Sequence, residues 1–320
     1  MLIQVEFHSF IPSNSILRYS CTMNLCRNII CILVLFFSSA KAQDADTIKF
    51  NLPLIRLNNY GDSLLHGSSD SVRIANNEKF SDLVDSILQN PISKKLSFYQ
   101  ANTLSVVNSP DGKFRIYNWM LPSADKNQFS YFGYVQTWDE KKSSVKLYHL
   151  KEAIFTNNEE AETMRLDTSN WYGCIYYKII HKRKKKKDYY LLLGWAPHTA
   201  LSTRKIIEPI VITSNKISFG SPVIKTGGKA KMRMIFEYNS QATMSLRYNE
   251  DKELLVFDHL ATTDQRPESK GMYNLYGPDL SFDGLKFDRG LWYFMKDLDA
   301  KNNSDTDGKN PDIKKLRITK

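Results

Sequence analysis

The chain has 320 residues and a formal net charge of +10, with 24% charged and 12% aromatic residues. This composition excludes global disorder, because the apolar and aromatic content can close a core, and six of the basic residues crowd into Lys182–Lys187 instead of spreading over a surface. Cys21, Cys26 and Cys31 precede a candidate cleavage site, so Cys174 alone follows it and a disulfide framework is excluded.

The N-terminus reads as an export signal. Arg27 precedes the apolar run Ile29–Phe37 and the small-x-small triplet Ala40-Lys41-Ala42, which makes residues 1–42 a signal peptide, with Met23 an alternative start, and Gln43 the expected mature N-terminus. The apolar run is shorter than the roughly 20 residues that cross a bilayer, so no transmembrane helix is expected after cleavage. Cys31 lacks the Leu-x-Gly/Ala setting of a lipidated cysteine. Export to the periplasm, the outer cell surface or the medium is the expectation.

Residues 43–100 read as an N-terminal segment, polar and irregular to about Asn77 apart from a short strand at Ile48–Leu57. A helix is expected over about 78–90, where Phe80, Leu83, Val84, Ile87 and Leu88 fall at helical spacing, Asn76 or Asn77 caps the start and Pro91 stops it. Residues 101–300 read as β-rich. Ser109-Pro110-Asp111-Gly112 is a turn between strands Leu104–Val107 and Phe114–Trp119, since proline presets φ and glycine admits the left-handed residue. Strands follow at Gln128–Thr137 and Ser144–His149.

The strongest signal runs from Trp171 to Thr199. WYGCIYYKII and YYLLLGWAPHT flank HKRKKKKD and predict a β-hairpin with a long, solvated cationic loop. Tyr176/Tyr177 and Tyr189/Tyr190 would then meet across the strands, and Trp171, Tyr177, Leu191, Leu193 and Trp195 would lie in the core. Cys174 reads as a small buried apolar residue. Further strands are expected at Lys205–Thr213 and Lys216–Phe219. MRMIFEY and MSLRYN alternate with a period of two, each with one more polar face, and strands Leu254–Leu260, Leu280–Phe287 and Leu291–Phe294 complete the set. Residues 301–320 read as a polar tail. The expected fold is mainly β: antiparallel sheets, sandwich-like or irregular propeller-like, with one N-terminal helix. A regular propeller needs a repeat of roughly 40–50 residues, and none is present.

WYGCIYYKII, YYLLLGW, LSTRKIIEPI, IFEYNSQATMSLRYN, LLVFDHL, YGPDLSFDGLKF and LWYFMKDLDAKN, preceded by SPDGKFRIYNW, run in order from Ser109 to Asn302. In wording and order this stretch resembles a set of uncharacterised exported proteins of the Bacteroidota. The resemblance implies export and a β-rich domain, and it brings no catalytic residue, ligand or cofactor.

Two groups of residues invite a functional reading. Lys184, Lys185, Lys186 and Lys187 would attract an anion such as an acidic glycan, although charge at a hairpin end also keeps it solvated and blocks edge-to-edge pairing. Glu237, Asp258, Asp279 and Asp283 lie on or beside aromatic-rich strands, and two carboxylates about 5–9.5 Å apart would suit a glycosidase, with Asp258-His259 and Trp292 near them. Asn303-x-Asp305-x-Asp307-Gly308 opens like a calcium loop, but its twelfth position is Lys314 where a glutamate is required; Asp312 adds a further carboxylate. His66, His149, His181, His198 and His259 show no zinc spacing, and no nucleophile elbow, phosphate loop or dinucleotide fingerprint is present. No metal or cofactor is expected, and no nucleic acid, for want of a basic face interleaved with stacking aromatics. The expectation is an exported binding or assembly component of the cell envelope whose partner is an envelope protein or acidic glycan. The alternative is a secreted carboxylate-dependent hydrolase acting on a glycan.

Overall fold

The computed structural model describes residues 51–139, 144–213, 216–262, 264 and 266–298. The expected signal segment, the first residues of the expected strand at Ile48 and the tail with Asp305, Asp307 and Asp312 lie outside the described residues. In place of a strand and an irregular stretch, the chain is helical over residues 51–66 (α1) and again over Asp70–Gln89 (α2). In α1, Leu54, Leu57 and Leu64 are buried at helical spacing. In α2 the start falls well before residue 78, because Ser69 caps it, its hydroxyl accepting from the Val72 N–H at 3.4 Å, and Asp70 lies in the positive first turn. The expected caps are interior residues. Asn76 donates to the Val72 carbonyl at 2.8 Å, and Asn77 accepts from the Trp119 indole at 2.7 Å. Phe80, Val84 and Leu88 carry the buried stripe, and Asn90 and Pro91 end the helix.

The first sheet is an antiparallel meander of β1 (Ser105–Asn108), β2 (Phe114–Pro122), β3 (Phe129–Asp139) and β4 (Ser144–Leu150). Its β1–β2 turn is the expected one. The Gly112 N–H donates to the Ser109 carbonyl at 2.9 Å, and Gly112 sits at φ +70°, where a side chain would be strained. One face of this sheet meets α2: Phe80 packs edge-on against Trp119, and Gln136 donates to the Leu88 carbonyl at 2.7 Å while accepting from Tyr117 at 2.9 Å.

A short helix, α3 (Asn158–Thr163), leads into the central sheet. Its strands lie in the order β5 (Leu166–Asp167), β9 (Ile217–Phe219), β8 (Ser202–Ile212), β7 (Lys187–Pro197) and β6 (Ile175–Lys184), and β11 (Met234–Asn239) pairs with the free half of β8. The third sheet runs β10 (Ile224–Lys225), β15 (Leu291–Met295), β14 (Tyr276–Asp288), β13 (Leu254–Thr262) and β12 (Leu246–Asn249), antiparallel except for the β10–β15 pair. Layering explains the continuous apolar runs. Ile179, Tyr190, Leu192 and Ile206 share a core with Phe114, Ile116 and Val135 of the first sheet. Ile180, Leu191, Leu193 and Ile207, on the opposite face, share another with Leu255, Phe257, Leu285 and Trp292 of the third. A strand covered on both faces has no solvent side to mark with polar residues. Each large side chain buried this way stabilises the fold by about 1.5–3 kcal/mol.

The Trp171–Thr199 hairpin is real, but its tip is not a long loop. Pairing continues through His181–Tyr190, Lys182–Tyr189 and Arg183–Asp188 to Lys184–Lys187, leaving Lys185 and Lys186 at φ 48° and 64° as a two-residue turn. That backbone matches the twist of paired strands. The basic residues can lie in strands because neighbours compensate them: Lys182 meets Glu253 at 2.5 Å, and Arg183 lies 3.7 Å from Asp188. The shorter turn also changes the register. Tyr176 faces Gly194 across the strands, so the expected tyrosine contacts give way to Tyr190 stacked on His181 at 4.8 Å and Tyr189 against Phe287 at 5.4 Å. Trp171, Leu191, Leu193 and Cys174 are buried as expected. Tyr177 is 40% exposed instead, since β6 bulges between Tyr176 and Lys178, and Trp195 is half-buried. Gly194 is obligatory for another reason: a Cβ there would come 2.7 Å from the Cys174 sulfur.

The polar face expected of MRMIFEY is also inside. Arg233 and Glu208 are both fully buried and pair at 2.6 Å. Arg233 further donates to the carbonyls of Ala161, Met164 and Phe219, and Glu208 accepts from the Tyr176 hydroxyl, which accepts from the Trp171 indole at 2.9 Å. Charges taken out of water are tolerated only with this degree of satisfaction, and deleting one partner would cost about 3–5 kcal/mol.

Candidate functional site

The four carboxylates singled out from sequence are each engaged by local donors. Glu237, on β11, accepts from the Ser202 hydroxyl at 2.6 Å, the Asn158 amide at 2.8 Å and Arg204 Nε at 2.9 Å. Burial pushes its carboxyl up, but Arg204, Ser202 and Asn158 outweigh this and hold it below the usual glutamate range. A general acid requires the opposite shift. His198 lies 3.9 Å away, and burial, then Arg204, hold its imidazole below the ordinary histidine range. On the third sheet, Asp258 pairs across the strands with Phe282 and Asp283 with Phe257, so these two carboxylates occupy opposite faces. Asp258 accepts from the Ser245 N–H at 2.7 Å, whereas Asp283 accepts from His259 Nδ1 at 2.8 Å and the Asp297 N–H at 3.1 Å. Asp279 is exposed and held below the usual aspartate range by hydrogen bonds from Ser281.

Lys184, Lys185, Lys186 and Lys187 are exposed at the hairpin tip, with the Lys187 ammonium 5.2 Å from the centre of the Tyr189 ring. Beneath them the β1–β2 turn meets the hairpin. Asp111, His181 and Asp188 place one ligand atom each within 4.8 Å of one another, a convergence that sequence spacing did not reveal because it joins the two hairpins. The cation position in this group is taken by Lys113, whose ammonium lies 2.5 Å from Asp188 and 3.2 Å from Asp111. Asp111 also accepts from the Tyr190 hydroxyl at 2.6 Å. Burial raises its pKa, but hydrogen bonds from Tyr190, Ser109 and Lys113 more than offset this and bring it down to about 2. The group reads as an ion-pair clasp between two sheets.

Another candidate lies at the other end of the hairpin arms, away from the lysine tip. A cleft of about 430 Å³ opens there. Its lining includes Trp195 from the end of β7, Thr203 and Lys205 from the start of β8, Lys126 and Phe129 from the β2–β3 connection and the start of β3, and Tyr238, Ser240 and Thr243. No carboxylate is among its described lining residues. Trp195 and Lys205 are cross-strand partners, which puts both side chains on the same face, and the Lys205 ammonium sits 4.9 Å from the centre of the Tyr177 ring. Burial holds that ammonium below the usual lysine range.

Sequence reasoning placed Trp195 in the core and passed over Lys205, Thr203 and Lys126. One signal was readable in Thr203-Arg204-Lys205, where two cations fall on opposite faces of a strand. The remaining lining comes from segments far apart in the chain. No family model, curated protein or solved structure matches the chain.

Proposed function

We propose that this protein is an exported, non-catalytic binding component of a bacterial cell envelope, of the Bacteroidota type that its motifs resemble, and that it holds a polar, ring-bearing ligand in the cleft at Trp195. The observation that carries the reading is the lining: one indole, several hydroxyls, two lysines and no carboxylate. Aromatic faces with hydroxyl oxygens able to accept from sugar hydroxyls suit a saccharide, and a glycosidase would need two carboxylates at that surface. Export rests on the signal sequence at Arg27–Ala42.

Calorimetric titration of the protein with a panel of envelope-derived oligosaccharides tests the reading. Saturable binding weakened at least about tenfold by Trp195→Ala is expected, in line with the loss of one stacking anchor. Turnover of any of these sugars, abolished in a folded Glu237→Gln or Asp258→Asn variant, would overturn it in favour of the hydrolase.

A further inference from the structure

We infer that the cleft selects acidic sugars, with the Lys205 ammonium receiving a ring carboxylate while Trp195 carries the ring; this rests on the cleft being the binding site. The argument begins with two neighbouring cations on β8. Arg204 points to one face of the central sheet and finds its anion there, Glu237 at 2.9 Å. Lys205 points to the other face, half-buried beside Trp195, and none of the ion pairs among the described residues includes it. Its recorded partner is the face of Tyr177, and burial, with no charged neighbour opposing it, is what lowers its pKa. A cation removed from water without a counter-ion is costly to keep, and an anion entering from outside recovers that cost. The fold supplies an anion for one cation and leaves the other open to the cleft.

The number and kind of donors point to the class of anion. Planar, bidentate recognition of a phosphate dianion favours an arginine fork, and no arginine is among the described lining residues. Here the Lys205 ammonium shares the lining with the hydroxyls of Thr203 and Thr243, and Lys126 adds a second ammonium. A monoanionic carboxylate on a pyranose ring fits that set. Its ring would contact Trp195 and its hydroxyls would meet those of Thr203 and Thr243.

A short oligogalacturonide and its methyl ester have the same rings and differ in charge. On the unaltered chain, with calorimetry as readout, the acid should bind about ten- to a hundredfold more tightly than the ester, the range of a charge-assisted hydrogen bond. Lys205→Gln should abolish the preference, bringing the acid down to the affinity of the ester in the same variant. Equal binding of acid and ester, both weakened by Trp195→Ala, would overturn the acid preference while leaving the cleft as the binding site. An acid preference that persists in Lys205→Gln would overturn the role of Lys205 and assign the preference to another cation, Lys126 in the same cleft or the hairpin tip. Binding of neither, at any concentration up to millimolar, would overturn both readings. The acid–ester comparison on the unaltered chain needs no variant to fold.

Discussion

Glu152 shows how burial turns a single side chain into a pH-dependent contribution. Its carboxylate accepts from the Tyr131 N–H at 2.8 Å, yet burial dominates and raises its pKa to about 7. An unfolded glutamate titrates near about 4.3. Between those values the folded chain holds the proton more tightly, so the stability contribution is fully present below the unfolded value and is lost as pH rises through about 7. The melting temperature should therefore fall between about pH 4.5 and 7, and Glu152→Gln should flatten that slope. An equal decline in both proteins would show that another group is responsible. Nothing in Lys151-Glu152-Ala153 marks this glutamate in the sequence. Arg233 and Glu208 were equally hidden, since a charged residue on an alternating strand reads as solvent-facing until the layer above it is known. Cys174 was legible because its neighbours on both sides are aromatic or apolar.

Among the elements, turns with a steric signature were legible and those without one were not. Ser109-Pro110-Asp111-Gly112 specifies its own geometry, and Asp288-Arg289-Gly290 closes β14 onto β15 with Arg289 and Gly290 both at positive φ. The Lys185-Lys186 turn has the same backbone with no residue that favours it, so the basic run read as a loop. Lysine in the left-handed region costs roughly 1 kcal/mol or more. Lys185→Asn with Lys186→Gly should accordingly stabilise the protein by about 1–2 kcal/mol in urea unfolding, because Asn-Gly is the preferred pair at these positions. Unchanged or reduced stability would mean that the lysines make compensating contacts there. Helix α2 was half legible: its C-terminal half carries Phe80, Val84 and Leu88, while Asp70–Lys79 is too polar to signal burial and depends on the Ser69 cap.

For the whole molecule, antiparallel strands could be read from alternation, but not the order of the layers. A two-residue period says that a face is buried and says nothing about what buries it. The β5–β9 and β8–β11 pairs join distant segments, and the cleft draws on residues from Lys126 to Met244. The central hairpin, covered on both faces in the native state, has a history before that state. Until the first and third sheets dock, Ile179, Leu191, Leu192 and Leu193 present two bare apolar surfaces, and chains in that condition associate with one another. Six consecutive cations at the end of the same strands would repel a second copy while those surfaces are open, as gatekeeper charges do beside apolar strands. Replacing Lys184–Lys187 by serine should leave the melting temperature of the folded protein nearly unchanged and lower the soluble yield on refolding as protein concentration rises. A lowered melting temperature with undiminished yield would reverse that assignment. On this account the tip matters most in the time before the protein is folded, when the hairpin is an exposed sheet seeking partners.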